Sequence, residues 1–172
     1  RKIYAAETRH RAPHKPLLLL SVIDLIEQGH FQTNLITLDP ELRETFITYW
    51  LLTPRGANKA DISLPFNHLV SDGFWHLLPK PNNHQPQQLL KSPSIALLTK
   101  TYLGAKLDDD LFALLQFPIA RDKLRLVIVQ TYFSHSLQFD LIKQAKINLE
   151  SYQYSLTLIN PTDKKSIKEA QS

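Results

Sequence analysis

Apolar residues recur at helical spacing near the start of the chain. From Pro16 onwards, leucine and isoleucine occur every three or four positions as far as Ile26, and Gly29 follows. Proline suits the first position of a helix because its missing N–H would have no partner there. The pattern predicts a first helix over residues 16–28.

A second helix is predicted after a short β-like run at residues 35–38. Asp39 is a typical residue to cap a helix N-terminus, Pro40 suits the first helical position, and Pro54 ends the segment. The side chains expected to face the core are those of Leu42, Phe46, Tyr49 and Trp50.

A β-hairpin is predicted over residues 68–78. Its turn would be the dipeptide Asp72-Gly73, which lies between two apolar runs. An Asp-Gly pair in that setting is a strong local signal for a hairpin turn. Trp75, on the second strand, is expected in the core.

Two segments are predicted to be exposed loops that contact a binding partner. Residues 53–63 are small, polar and basic, whereas residues 79–94 hold four prolines and several side-chain amides. Such compositions disfavour regular elements, and exposed loops often carry binding residues.

Three further helices are predicted from apolar spacing, over residues 107–117, 120–133 and 137–151. Residues 160–172 are polar and rich in lysine, which is typical of a linker. The expected architecture is therefore one compact domain over residues 1–159, with a mixed α+β fold that is mostly helical and contains a small antiparallel sheet.

Composition and charge narrow the classes of function. A chain of 172 residues fits one domain, and 20 Lys and Arg against 16 Asp and Glu give a net charge of +4, which suits a polyanionic partner. The absence of cysteine excludes disulfides, thiolate catalysis and cysteine-based zinc sites. No window approaches the roughly 18 apolar residues of a membrane helix. We expect a cytoplasmic protein with no membrane partner.

Three short motifs form an ordered set. They are APHKPLLLL at residues 12–20, LPFNHL at residues 64–69 and SDGFW at residues 71–75. Together they resemble the sulfur-binding domain of type IV restriction endonucleases, over roughly residues 9–133. The resemblance implies recognition of phosphorothioated DNA, in which sulfur replaces one oxygen of a backbone phosphate. It also implies an HNH nuclease domain beyond the C-terminal linker in the parent protein.

The resemblance implies a pocket for the sulfur atom, formed here by His14, Lys15, Leu64, Pro65 and His68. Sulfur is more polarizable and less strongly hydrated than oxygen, so an apolar wall accepts it at little cost. Histidine and lysine just ahead of a helix would hold the anionic group. The chain departs from the family at Leu64, where an aromatic residue is expected, and at His68, where a small one is expected.

Further cationic and amide side chains are candidates for contacts to phosphates and base edges. They lie in the basic N-terminal segment and in the two predicted loops: Arg9, Arg11, Arg55, Asn58, Lys59, Gln85, Gln88 and Lys91. Arginine and lysine favour guanine, whereas asparagine and glutamine favour adenine. The expected partner is phosphorothioated double-stranded DNA, and a second copy of the chain, in a homodimer, is a further candidate partner.

No catalytic centre, metal site or cofactor is predicted. His10 and His14 lie four residues apart, but Pro13 between them disfavours a helix that presents both to one metal ion. The sequence contains no convincing HNH pattern, nucleotide-binding glycine loop or Ser–His–Asp arrangement. The leading hypothesis is a DNA-binding module that is not itself a nuclease. The alternative is a protein-interaction or regulatory domain of a restriction or defence system, whose basic loops contact an acidic partner.

Overall fold

A computed structural model describes residues 13–54, 59–83 and 89–159 of the chain. Within these ranges it contains seven α-helices, a short 3₁₀ helix at Leu69–Asp72 and one two-stranded antiparallel sheet. The predicted mixed α+β fold is confirmed. The helices are α1 (His14–Glu27), α2 (Pro40–Leu52), α3 (Ser63–His68), α4 (Ile95–Thr101), α5 (Asp109–Leu114), α6 (Pro118–Tyr132) and α7 (His135–Ile159), and the strands are β1 (Trp75–Pro79) and β2 (Tyr102–Leu107).

Helix α1 lies at the centre of the core and packs against α2, α3, α6 and α7. Leu17, Leu18 and Leu20 have no exposed surface. Full burial of one such side chain contributes about 1.5–3 kcal/mol to folding. The prediction of this helix is confirmed, and the helix begins two residues earlier than expected. Its packing fixes the first turn, which carries His14 and Lys15.

Asp39 caps helix α2, as predicted. One oxygen of its carboxylate accepts a hydrogen bond from the Leu42 N–H at 3.0 Å. The other oxygen lies 2.6 Å from the Thr37 hydroxyl, which donates to it, and 2.9 Å from the His30 ring. Burial raises the pKa of Asp39, but these hydrogen bonds outweigh burial and hold the pKa below its usual value.

The Asp39→Ala variant is expected to lower the free energy of unfolding by about 1–2 kcal/mol at neutral pH because the helix loses its cap. The pKa of Asp39 is lower in the folded state than its ordinary value of 3.8. The carboxylate's contribution is therefore fully present above that value and lost as the pH falls through the folded-state pKa. Denaturant titrations of wild type and variant should converge in acid. An unchanged difference at about pH 3 would contradict this account.

The hairpin predicted over residues 68–78 is wrong. Residues 69–72 form the 3₁₀ helix that continues α3. Gly73 follows it with a φ of 89°, a left-handed conformation that glycine adopts without strain. The Asp-Gly dipeptide therefore ends a helix and does not join two strands. The helical turn lets Leu69 and Trp75 both reach the core, and the local turn signal could not encode this.

Strand β1 pairs instead with β2, much later in the chain, and Trp75 lies opposite Leu107. Trp75 is fully buried, as expected, and its ring N–H donates to the Phe66 carbonyl at 2.9 Å. This hydrogen bond ties the start of β1 to helix α3.

The β-like run at residues 35–38 contributes one isolated bridge to this sheet. Ile36 pairs with Ala105 through hydrogen bonds of 2.7 and 2.8 Å. A Cβ atom on Gly104 would lie 2.5 Å from the Ile36 carbonyl oxygen. The close approach of the two backbones therefore requires glycine at this position.

The C-terminal helices agree with the prediction in part. Helix α6 matches the segment 120–133, whereas α7 extends beyond 137–151 in both directions. The helix predicted over residues 107–117 is shorter, because β2 ends at Leu107 and α5 covers only Asp109–Leu114. In the described ranges, no helix combines the length and the apolar character that crossing a membrane requires. Residues 160–172 lie outside the described ranges.

The bounds of the two predicted loops differ from the prediction. Ile62 and Ser63 are buried and Ser63 begins helix α3, so the first loop is shorter than residues 53–63. In the second segment, β1 extends to Pro79, and neither helix nor strand occurs at residues 80–83 or 89–94.

A buried ionic cluster joins four helices near the C-terminal end of α1. The Arg125 guanidinium on α6 lies 3.0 Å from Asp24 and 2.8 Å from Glu27, both on α1, and 3.0 Å from Asp122. Asp24 also accepts hydrogen bonds from side chains of α2 and α7, namely Tyr49 at 2.6 Å and Asn148 at 2.8 Å.

Burial dominates the electrostatics of this cluster. It raises the pKa of Asp24, and the attraction of Arg125 opposes this only in part. Burial likewise raises the pKa of the Tyr49 hydroxyl well above its usual value. For Arg125, burial lowers the pKa, but the carboxylates of Asp24 and Glu27 outweigh burial and raise it. Loss of the Arg125 cation would therefore leave buried carboxylate charge without a partner, which is costly.

Candidate nucleic-acid interface

An open cavity of about 590 Å³ lies between the first turn of α1, helix α3, the 3₁₀ helix and the end of α6. We call it the α1–α3 cavity. Its volume is in the range of cavities that hold small ligands. Most of its lining is apolar, from Pro16, Leu19, Leu64, Pro65, Leu69, Phe74 and Tyr132, and four polar residues complete it, namely His14, Lys15, His68 and Asp72.

All five residues predicted for the sulfur pocket line this cavity. His14 and Lys15 lie in the first turn of α1, and Leu64, Pro65 and His68 lie on α3. The fold therefore brings together two motifs that are far apart in the sequence. Pro65 is buried, whereas Leu64 and His68 are exposed at the cavity. The two positions that depart from the family pattern are thus part of the cavity wall.

Sequence reasoning missed several lining residues. Leu19 lies four positions after Lys15, one turn along the same helix face. Leu69 and Asp72 lie four positions after Pro65 and His68, and they continue the face of α3 into the 3₁₀ helix. A helical prediction for this segment would have found both residues, but the hairpin prediction hid them. No comparable local signal identifies Phe74 or Tyr132.

The first turn of α1 favours an anion. Pro13 precedes the helix and its carbonyl accepts the Leu17 N–H at 3.0 Å, but it supplies no side-chain cap. The N–H groups and the dipole at such a helix start attract negative charge. The His14 ring packs against Trp50 of α2 with centroids 4.7 Å apart, which holds the imidazole at the edge of the cavity.

Lys15 brings a positive charge to the cavity. Its ammonium nitrogen lies 2.5 Å from the Asp72 carboxylate and 3.1 Å from the Ser71 hydroxyl oxygen. The Ser71 hydroxyl in turn donates to the His68 carbonyl at 2.8 Å. An ammonium group has three N–H donors, so two such contacts leave one that the described residues do not use. Partly exposed ion pairs contribute only about 0–1 kcal/mol, and an anion can therefore compete for Lys15.

The structure tests the placement of only some predicted DNA contacts. Lys59 and Lys91 are exposed, and neither lines the cavity. The remaining candidates lie outside the described residues: Arg9, Arg11, Arg55, Asn58, Gln85 and Gln88. His10 lies outside them as well, so its spatial relation to His14 is not described.

One group of side chains in the described ranges has the composition of a metal site. Ligand atoms of His30, Asp39 and Glu41 lie within 4.8 Å of one another. The Asp39 carboxylate already accepts hydrogen bonds from Leu42 and Thr37 and contacts His30. The helix cap accounts for the position of the Asp39 carboxylate and its contact with His30, and none of the three residues lines the α1–α3 cavity.

Comparisons with known proteins give no family assignment. No protein-family model matches the chain, and a search of curated proteins finds no significant relative.

Proposed function

We propose that this chain binds double-stranded DNA that carries a phosphorothioate and that the sulfur atom enters the α1–α3 cavity. One observation carries the proposal: the five residues that the family resemblance selects line a single cavity, although they come from two distant segments. That cavity combines a largely apolar lining with the Lys15 ammonium group, which the anion would have to share with, or take from, the Asp72 carboxylate. These are the two features that an anion with a sulfur atom requires.

The apolar wall would provide the discrimination. Pro65 and Leu64 offer carbon surface without hydrogen-bond donors or acceptors in their side chains. A phosphate oxygen placed against that surface would lose its hydration without compensation, whereas sulfur loses less. Phosphorothioated DNA is therefore favoured over plain DNA at this wall.

The polar side of the cavity would provide affinity. Lys15 and the start of α1 attract the negative charge, which the modified and the plain link share. Lys59 and Lys91 would contact flanking phosphates, and the candidates outside the described residues stay predictions as phosphate or base contacts. The chain would then serve as the recognition module of a modification-dependent restriction endonuclease and would not cut DNA itself.

A gel-shift titration with identical duplexes that differ in one phosphorothioate tests the proposal. We expect tighter binding to the modified duplex and no cleavage of either duplex in magnesium or manganese. Equal affinity for both duplexes would contradict sulfur recognition. Protein-dependent cleavage that survives stringent purification would contradict the binding-only role.

The Lys15→Ala variant should weaken binding to modified DNA by about ten- to a hundredfold, because a charge-assisted hydrogen bond is worth about 1.5–3 kcal/mol. Plain DNA should also be bound less tightly, and the affinity for modified DNA should fall toward the non-specific level. Fluorescence anisotropy at one fixed salt concentration measures both effects. The matched control is Lys123→Ala, an exposed lysine on α6 that does not line the cavity. An equal loss in both variants would show that Lys15 acts only through net charge.

A further inference from the structure

Helix α3 carries a second set of side chains that does not line the α1–α3 cavity. Ser63 and Asn67 are buried, with 1% and 0% of their surface exposed. Both form hydrogen bonds to residues 89–94, which we call the Lys91 segment. The helix that supplies one wall of the cavity therefore also holds this segment.

Asn67 makes a reciprocal pair of hydrogen bonds with Leu90. Its side-chain N–H donates to the Leu90 carbonyl at 3.1 Å, and its side-chain oxygen accepts the Leu90 N–H at 3.3 Å. A buried amide is costly unless it is paired. Because both of these bonds go to the backbone of one residue, they fix the position of that residue relative to α3.

Two further hydrogen bonds hold the other end of the segment. The Ser63 hydroxyl shares its one hydrogen between the Asp61 carboxylate at 2.5 Å and the Pro93 carbonyl at 3.1 Å. The Ser94 hydroxyl oxygen accepts the Leu97 N–H at 3.1 Å, which caps α4. Lys91 lies between the anchors at Leu90 and Pro93. Its backbone is therefore held on both sides.

The Lys91 side chain is exposed and forms no hydrogen bond or ion pair with the residues that the structure describes. An exposed ammonium group on a fixed backbone suits a DNA phosphate, because phosphate contacts set the position of a protein on the duplex.

We propose that Asn67 is a positioning residue that fixes Lys91 relative to the α1–α3 cavity. The distance along the duplex between the phosphate bound by Lys91 and the sulfur atom in the cavity would then be fixed. The inference rests on the proposed DNA binding, but it concerns a contact that modified and plain DNA share.

A double-mutant cycle tests this role. Dissociation constants for plain and modified duplexes are measured over a range of salt concentrations for wild type, Asn67→Ala, Lys91→Ala and the double variant. Affinity falls as salt rises, so the slope of log affinity against log salt is negative. Lys91→Ala should make this slope less negative by about 0.9, the value for one phosphate contact. Asn67→Ala should change it similarly, and the double variant should show no further change. In the same backgrounds, Lys15→Ala should keep its full effect because Lys15 is held by α1.

Ser63→Ala is the second variant, which keeps the test decisive if Asn67→Ala does not fold. It removes the hydroxyl that Asp61 and Pro93 share, so the Pro93 end of the segment loses its contact with α3, and it too should reduce the effect of Lys91→Ala. If Lys91→Ala costs the same factor in every background, or if Asn67→Ala lowers stability without changing the salt slope, the inference is overturned. If wild type binds modified and plain duplexes equally tightly, the proposed function alone is overturned, since the cycle can still be completed on plain DNA. Absence of all DNA binding would overturn both.

Discussion

Replacing Pro65 with aspartate should lower the affinity for phosphorothioated DNA by about ten- to a hundredfold, which corresponds to roughly 1–3 kcal/mol. The change places a strongly hydrated, negatively charged group where the sulfur atom is proposed to lie. Pro65 is the third residue of α3, and a carboxylate is favourable in the first turn of a helix. Pro65 is buried, however, so the carboxylate also costs stability, and a denaturant titration must show that the variant is folded under the binding conditions.

The measurement for Pro65→Asp is the ratio of dissociation constants for modified and plain duplex at one fixed salt concentration. Plain DNA should change less than modified DNA, so the ratio should fall. Pro81→Asp is the matched control, because Pro81 is exposed and does not line the cavity. If the ratio stays intact in a folded Pro65→Asp protein, the sulfur does not lie against Pro65.

The Arg125→Met variant is expected to lower the free energy of unfolding by about 3–5 kcal/mol. Arg125 is 6% exposed and pairs with the buried Asp24 and with Glu27. Methionine fills much of the same volume but leaves both carboxylates without their cation. An uncompensated buried charge is more costly than the loss of the ion pair itself.

Denaturant titrations measure the effect of Arg125→Met, and Asp122→Asn is the control because it removes only the exposed partner. Burial already raises the pKa of Asp24, and loss of Arg125 would raise it further. The deficit relative to wild type should therefore be complete above that raised pKa and shrink as the pH falls through it, because the carboxyl then takes up a proton. A stability loss no larger than that of Asp122→Asn would contradict the role of the cluster.

Local patterns in the sequence were enough to predict several elements. Helices α1 and α6 follow from apolar spacing, and the start of α2 follows from Asp39 and Pro40. These signals act within one or two turns of the chain, so neighbouring residues carry the information. The residues predicted for a sulfur pocket were identified by motif, and the packing of α1 against α3 explains why they lie together.

Features that depend on distant residues could not be predicted in this way. Strand β2 is defined by its pairing with β1 and by the contact of Gly104 with Ile36. In the sequence, nothing near Arg125 distinguishes it from an exposed arginine, although it is buried. Its partner Asp24 lies 101 positions away. The same holds for Asn67, whose partner Leu90 lies in a segment that the sequence marks only as a loop.

The location of sulfur in a complex with DNA tests the central claim most directly. The chain contains neither cysteine nor methionine, so the phosphorothioate would supply the sulfur atoms of such a crystal. Anomalous difference maps collected on both sides of the sulfur absorption edge would separate this atom from phosphorus. We predict a peak in the α1–α3 cavity, within about 4 Å of carbon atoms of Pro65, the distance of apolar contact. A peak outside that cavity, with the modified link bound elsewhere on the protein, would contradict the account.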